Sequence, residues 1–433
     1  MVNKRFHSVT LDASKCKGCT NCLTRCPMEA IRVRGGRAFI MDERCVDCGE
    51  CIRTCSYHAK VAMTDDLGII ENFEHRIALP APSLYGQFYH AKSIAVIIEV
   101  LKHIGFTDVF EVAKGADIAT RMLQEELKNP DRPKPLISSA CPAITRMIQI
   151  KFPTLLPNIV KVKQPMEVAA TMARAEYSKK HSVPKDEIGV FFITPCAAKV
   201  TAVRNPIGQE KSEVDGVISM LDIYACVFPI LNKITPDENI KIATPYGVGW
   251  ANSGGESRAT NINKTMAVDG IENVANVLEE IENGRLRDLD YLEGAACPGG
   301  CVGGPLTYEN KYVARNKVMQ LVSELPCERP EETVPCRVLN SYDFKMDTPI
   351  PENCSMQLDE EVSTAIEKME RINDILESLP GYDCGSCGSP TCRSFAEDIV
   401  RGYCNITDCI FILRDRLKVM AQQMVDMSNT KRE

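Results

Sequence analysis

The sequence predicts an α/β protein in three parts. A small cysteine-rich α+β domain occupies residues 1–77, a larger central α/β domain residues 78–325, and a helical, cysteine-bearing domain residues 358–433, with a linker at 326–357. Three observations carry this expectation. Eight cysteines fall in two tight runs before residue 56, strand-like apolar runs alternate with helical stretches from about residue 77, and apolar residues recur at helical spacing beyond residue 358 before a second cysteine group.

Composition narrows the function classes. A chain of 433 residues has length for two to four domains, at roughly 100 to 200 residues each. Its net charge of -7 leaves no basic footprint for nucleic acid or an anionic membrane, so neither partner is expected. The opening MVNKRFHSVTLD lacks an apolar signal core, and the expected location is cytoplasmic. In a reducing compartment 21 cysteines point to metal ligation rather than disulfides.

The first segment reads Cys16, Cys19, Cys22, Cys26 and then Cys45, Cys48, Cys51, Cys55, the C-x2-C-x2-C-x3-C run twice over. In bacterial ferredoxins with this spacing the fourth cysteine serves the other cluster. Cys55 is therefore expected with Cys16, Cys19 and Cys22, and Cys26 with Cys45, Cys48 and Cys51. Zinc sites would separate their CxxC pairs more widely. Residues 8–70 resemble a two-cluster ferredoxin.

In the central segment each strand-like run ends on residues suited to a site. The run at 77–79 leads into Ala81, Pro82 and Ser83, that at 136–138 into Cys141 and a helix at 144–152, and that at 188–193 into Pro195 and Cys196. Open α/β sheets place ligands at the carboxyl ends of their strands. The stretch at 293–305, EGAACPGGCVGGP, adds Cys297 and Cys301 with Gly299, Gly300, Gly303 and Gly304, which let backbone approach a bulky group. Each lone cysteine by itself would read as a small buried hydrophobe. Four thiols on three similarly punctuated segments read as one buried site.

These stretches resemble, in order and approximate spacing, the three signature loops of iron-iron hydrogenases, over residues 78–325. The resemblance implies a hydrogenase-type α/β domain with two sheet lobes. It also implies an H-cluster: a 4Fe-4S cubane on Cys141, Cys196, Cys297 and Cys301, with Cys301 bridging to a two-iron subcluster that carries CO, cyanide and an azadithiolate. By the same likeness Lys199 pairs with one cyanide, and Pro82 and Ser83 contact the other. Cys301 and Lys199 are the expected catalytic residues. A buried anionic acceptor demands a donor such as the Lys199 ammonium.

Departures from the family pattern bear on activity. Ala140 stands where efficient members carry a proton-relaying cysteine, Ala202 where a glutamate is usual, and Ala295 and Thr194 where methionines pack. An alanine methyl carries no proton, so low turnover is expected. The pattern resembles the sensory hydrogenases of the group called D. Iron-sulfur assembly relatives of hydrogenases also carry alanine at the position of Ala140, which keeps open a scaffold or electron-transfer protein lacking the two-iron subcluster.

Residues 326–357, rich in proline and charge and bearing Cys327, Cys336 and Cys354, read as a linker with spare thiols. An amphipathic helix follows from residue 358 and stops at Pro380 and Gly381. Beyond it, Cys384, Cys387 and Cys392 resemble a small 4Fe-4S module of electron-transport subunits, with Cys409 as fourth ligand and Cys404 as its competitor. A zinc site is the alternative on spacing alone. The last helix, at 410–427, carries Met420, Met424 and Met427, suited either to packing or to a homodimer contact. The expected partners are H2 and protons, ferredoxin or another redox partner, the maturation machinery of the two-iron subcluster, and a signalling partner in trans. Three accessory 4Fe-4S clusters would carry the electrons.

Overall fold

The computed structural model describes residues 6–237 and 239–430; residues 1–5 and 431–433, the outermost parts of the first and last expected domains, lie outside the described residues. The chain divides into two compact units. One comprises 1–9, 46–49 and 62–353, and the other 10–45, 50–61 and 354–433.

The larger unit holds two parallel sheets. Four strands run in the order Asp108–Val109, His75–Pro80, Ile188–Thr194, Gly216–Ser219, with Leu79 opposite Phe192 and Thr194 opposite Ser219. Three more run in the order Thr265–Asp269, Tyr291–Ala295, Leu136–Ile137, with Tyr291 opposite Leu136. The two lobes expected from the resemblance are these sheets. Ile188–Thr194 is buried along its whole length, as a parallel strand covered on both faces must be. Its Phe191, Phe192 and Ile193 lie in the main core, where each large apolar side chain contributes roughly 1.5–3 kcal/mol. The helices Val112–Leu127 and Pro165–His181 cross closely at Gly115, where a Cβ would meet the Pro165 carbonyl oxygen at 2.3 Å.

Residues 46–49 join this unit because Asp47 is locked into it. Its buried carboxylate accepts from the Ser8 and Val9 amides at 3.1 and 2.9 Å and from the Thr201 hydroxyl at 2.8 Å.

The expected linker is a correction. Residues 326–353 form a strap on the larger unit, with short helices Pro330–Thr333 and Cys336–Ser341 and with Val334 and Phe344 buried. The Lys163 amide donates to the Phe344 carbonyl at 2.8 Å, the Met346 amide to the Lys161 carbonyl at 3.0 Å, and the Asn353 amide to the Gln149 carbonyl at 2.9 Å. Its sparse apolar residues are spent on contact rather than periodicity, so no helical or strand pattern announces it. Cys327, Cys336 and Cys354 are free and exposed.

In the smaller unit the short helices Asn21–Thr24 and Glu50–Thr54 carry Cys22 and Cys51, and the hairpin Ile31–Arg34/Arg37–Ile40 falls between the two cysteine runs. The helix Val362–Ser378 packs on Cys392–Val400 around Ile372, Leu379, Phe395 and Ala396. Helix Ile410–Thr430 follows, and its apolar stripe of Leu413, Leu417, Met420, Met424 and Met427 is exposed.

Candidate metal centre

The strand ends of the larger unit meet at one cavity. Pro82 and Ser83 open the 3-10 helix Pro82–Gln87 directly after strand His75–Pro80. Cys141 is the N-cap of helix Pro142–Lys151 and Cys196 the N-cap of Ala197–Arg204, so both sulfurs sit at helix N-termini, where the backbone dipole favours a thiolate. Cys297 and Cys301 follow strand Tyr291–Ala295. All four cysteines, Lys199, Pro82 and Ser83 line the same space, which holds about 910 Å³ free of atoms, its mouth included. The Ser83 hydroxyl lies 3.8 Å from the Met220 sulfur.

Two glycines keep the cradle open. Gly300 adopts φ 91°, and a Cβ there would fall 2.5 Å from the Ser253 amide nitrogen. A Cβ on Gly304 would fall 2.3 Å from the Pro195 carbonyl oxygen. No side chain fits at either position without moving main chain.

The donor set suits a cluster of metal ions. Burial pushes the Cys196 thiol up to about 12, with Lys199 opposing, and burial likewise raises Cys301. Thiols raised in this way would stay protonated unless a cation displaced the protons, which is what iron does on binding. Burial pulls the Lys199 ammonium down, yet the thiolates of Cys301, Cys196, Cys141 and Cys297 outweigh it and its pKa rises overall. Once those cysteines are thiolates, as they would be on a metal, Lys199 is held charged. Soft thiolate donors converging on one space beside a buried cation fit an iron-sulfur group that carries anionic ligands.

Sequence reasoning missed a carboxyl network on the same wall. Glu256 and Glu293 both line the cavity. The Tyr291 hydroxyl donates to Glu256 at 2.5 Å, the Ser138 hydroxyl donates to its other oxygen at 2.8 Å, and the Ala140 amide donates to Ser138 at 3.1 Å. Glu293 accepts from the Gly254 and Ser257 amides, both at 2.8 Å. Burial, and then the neighbouring Glu293 charge, raise Glu256 far above the usual carboxylate range. A buried carboxyl in that state can hold a proton near neutrality. Its one visible signal was Glu293 itself, a charge inside a buried strand; nothing local marks Glu256. Ala140 and Ala295 line the cavity, while Ala202 is buried and is not among the lining residues. Thr194 is occupied with Cys196, donating to its carbonyl at 2.9 Å and accepting from its amide at 3.2 Å.

In the smaller unit, Cys16, Cys19, Cys22 and Cys55 line one cavity together with Lys60 and Val33. Of the second expected set, Cys26, Cys45 and Cys51 belong to this unit, and Cys48 falls in segment 46–49 of the other. Cys384, Cys387, Cys392 and Cys409 line a further cavity walled by Phe395 and Phe411. The Cys404 sulfur instead lies 3.9 Å from the Phe395 carbonyl oxygen.

The C-terminal module is fastened to the hairpin of this same unit. Arg32 grips Asp398 with two bonds, at 2.6 and 3.0 Å, both side chains being 2 % exposed. Arg34 donates to the Cys387 carbonyl at 2.6 Å and to Asp398 at 3.2 Å. The Val33 amide donates to the Gly388 carbonyl at 2.9 Å, and a Cβ on Gly388 would strike the Val33 carbonyl oxygen at 1.8 Å.

Comparison with known proteins agrees with this geometry. Residues 74–262 and 251–305 match the family described as iron only hydrogenase large subunit, C-terminal domain; residues 8–56 match a 4Fe-4S dicluster domain and residues 379–411 an Fe-S cluster family. Iron hydrogenase 1 of Clostridium pasteurianum is 23% identical over 333 residues, 68% of this chain and 57% of that protein. The "Probable cytosolic Fe-S cluster assembly factor oxy-4" of Caenorhabditis elegans is 25% identical over 293 residues, 55% of this chain and 64% of that protein. The chain thus spans about three fifths of the length of these relatives. An FeFe-hydrogenase structure from Chlamydomonas reinhardtii superposes with a TM-score of 0.50 at 18% identity, covering 65% of this chain and 92% of that one, a likeness of fold. Among the described residues no helix is long and apolar enough to cross a membrane. With family matches reaching over more than half its length, the chain belongs to the family of the iron-only hydrogenase large subunit, C-terminal domain, and carries iron-sulfur domains on either side of it.

Proposed function

We propose that this chain is a low-turnover hydrogenase of sensory type, which splits or slowly forms H2 at an H-cluster and exchanges electrons through three accessory 4Fe-4S clusters. The observation that carries the reading is the convergence of Cys141, Cys196, Cys297, Cys301 and Lys199 on one glycine-walled cavity at the strand ends. In this reading the four cysteines hold the cubane and Cys301 is shared with the two-iron subcluster. That subcluster would supply an open iron position and an amine base. The protein's own part is electrostatic. The Lys199 ammonium would neutralise buried anionic ligands, and Pro82 and Ser83 line the same cavity. Protons would reach the cavity through Glu256, Ser138 and Tyr291, since Ala140 offers none. The smaller unit would be the wire, with Cys384, Cys387, Cys392 and Cys409 on the C-terminal cluster, handing electrons to ferredoxin or another cytoplasmic redox partner. A signalling partner acting in trans would read the redox state, and the exposed stripe of Ile410–Thr430 suits a homodimer.

A second reading has its own support. Ala140 and the assembly-factor relative fit an iron-sulfur scaffold that never receives the two-iron subcluster. Infrared spectroscopy of the chain after exposure to the maturation machinery separates the two. Bands of iron-bound CO and cyanide that respond to H2 are expected for the hydrogenase; four-iron clusters with no such bands would establish the scaffold.

A further inference from the structure

The two cysteine runs of the smaller unit are internal repeats, and their last turns share backbone conformation and hydrogen bonding. One reads Cys26-Pro27-Met28-Glu29-Ala30-Ile31 and the other Cys55-Ser56-Tyr57-His58-Ala59-Lys60. Glu29 and His58 take left-handed φ values of 47° and 50°. The Ala30 amide donates to the Cys26 sulfur at 3.3 Å, and the Ala59 amide to the Cys55 sulfur at 3.3 Å. The next residue begins a strand in each repeat, Ile31–Arg34 and Lys60–Ala62, and is 2 % exposed in both. What differs is the side chain: isoleucine in one repeat, lysine in the other.

An ammonium at a position that elsewhere holds isoleucine demands a reason. Lys60 lines the cavity of Cys16, Cys19, Cys22 and Cys55, and its Nζ has no hydrogen-bond partner among the described residues. A buried, unpartnered cation is costly unless negative charge faces it. A 4Fe-4S cluster on four thiolates is anionic and gains one more negative charge on reduction. A fixed positive charge beside it favours the reduced form, and net charge around a cluster is one of the determinants of its potential.

We propose that Lys60 raises the reduction potential of the cluster held by Cys16, Cys19, Cys22 and Cys55, making it the ferredoxin-type centre on which an electron comes to rest. The step is a one-electron transfer from a low-potential donor to the oxidised cluster, with no bond made or broken. Its place in the fold suits that task. Val33 lines the same cavity and bonds to Gly388, the neighbour of Cys387, which gives the Lys60-bearing centre a backbone link to the C-terminal module.

The inference rests on the iron-sulfur reading of the repeats, and the test separates the two. The full chain, reconstituted with iron and sulfide, is titrated with redox mediators while the clusters are followed by electron paramagnetic resonance. In Lys60→Met one midpoint should move negative, with an about tenfold lower reduced-to-oxidised ratio at the original midpoint, about 59 mV for a one-electron couple. Lys60→Arg should restore the original value, and Ile31→Lys should move a different midpoint upward. Unchanged midpoints in both Lys60→Met and the neutral Lys60→Gln, at full iron content, overturn the proposal. If Lys60→Met loses its cluster, Lys60→Gln and Ile31→Lys decide, and no shift in either is equally fatal. An unaltered chain without four-iron signals would instead refute the iron-sulfur reading.

Discussion

Lys199 and Lys60 each face a cysteine set, and their surroundings differ in kind. Lys199 stands among four thiols drawn from three distant segments, with Glu256 and Glu293 on the same wall. Lys60 stands over thiols delivered by two short runs and has no carboxylate among its cavity neighbours. In the first cavity the ammonium is faced by several acidic groups. In the second it is unmatched, and its charge is free to act on whatever electron density the cluster holds. On the proposals above one residue type would serve as an anchor in one unit and as a bias in the other, with the local count of opposing charges deciding which.

The strongest way to break that contrast is Lys199→Ala. If Lys199 is an anchor, the chain should lose uptake of the CO- and cyanide-bearing group altogether, read as absent infrared bands; bands of normal intensity would reduce Lys199 to a bystander. Next in size is Asp398→Ala, which leaves Arg32 buried without its partner at a cost of about 3–5 kcal/mol. Hydrogen exchange along Ile31–Arg34 should then accelerate at least about a hundredfold, whereas unchanged protection would mean that the module is held to the hairpin by other contacts. Smaller again is Ala140→Cys, which adds a proton carrier beside the Lys199 cavity. General acid–base groups contribute about 10²–10⁴-fold, so a rise in H2 turnover toward the lower end, about a hundredfold, is expected. Turnover that stays flat would assign the bottleneck to a step other than proton delivery past residue 140.

Legibility from sequence followed the same division. The ligand sets read most directly were those whose spacing is itself the geometry, such as Cys16, Cys19 and Cys22 on one turn of chain. The central set could be guessed because each member follows a strand, and parallel strands deliver their carboxyl ends to one side. Glu256 escaped notice because the feature that matters is a hydrogen bond from Tyr291, 35 positions away. The strap at 326–353 escaped for a related reason: Phe344 and Val334 are isolated apolar residues whose burial depends on surfaces already built by other segments. Lys60 was legible in principle, since aligning the two repeats sets it opposite Ile31, but only the buried position of both side chains gives that mismatch a consequence.

By itself the sequence determined the iron-sulfur character of this protein, its α/β centre and the residues at the strand ends, because cysteine spacing and apolar periodicity are local and survive without coordinates. Tertiary structure alone decided that Asp398 closes on Arg32, that Cys409 rather than Cys404 shares a cavity with Cys384, and that an ammonium at position 60 is left without a partner. Those outcomes depend on which groups are denied water and which neighbours they then meet. That is a property of packing, and no single stretch of chain encodes it.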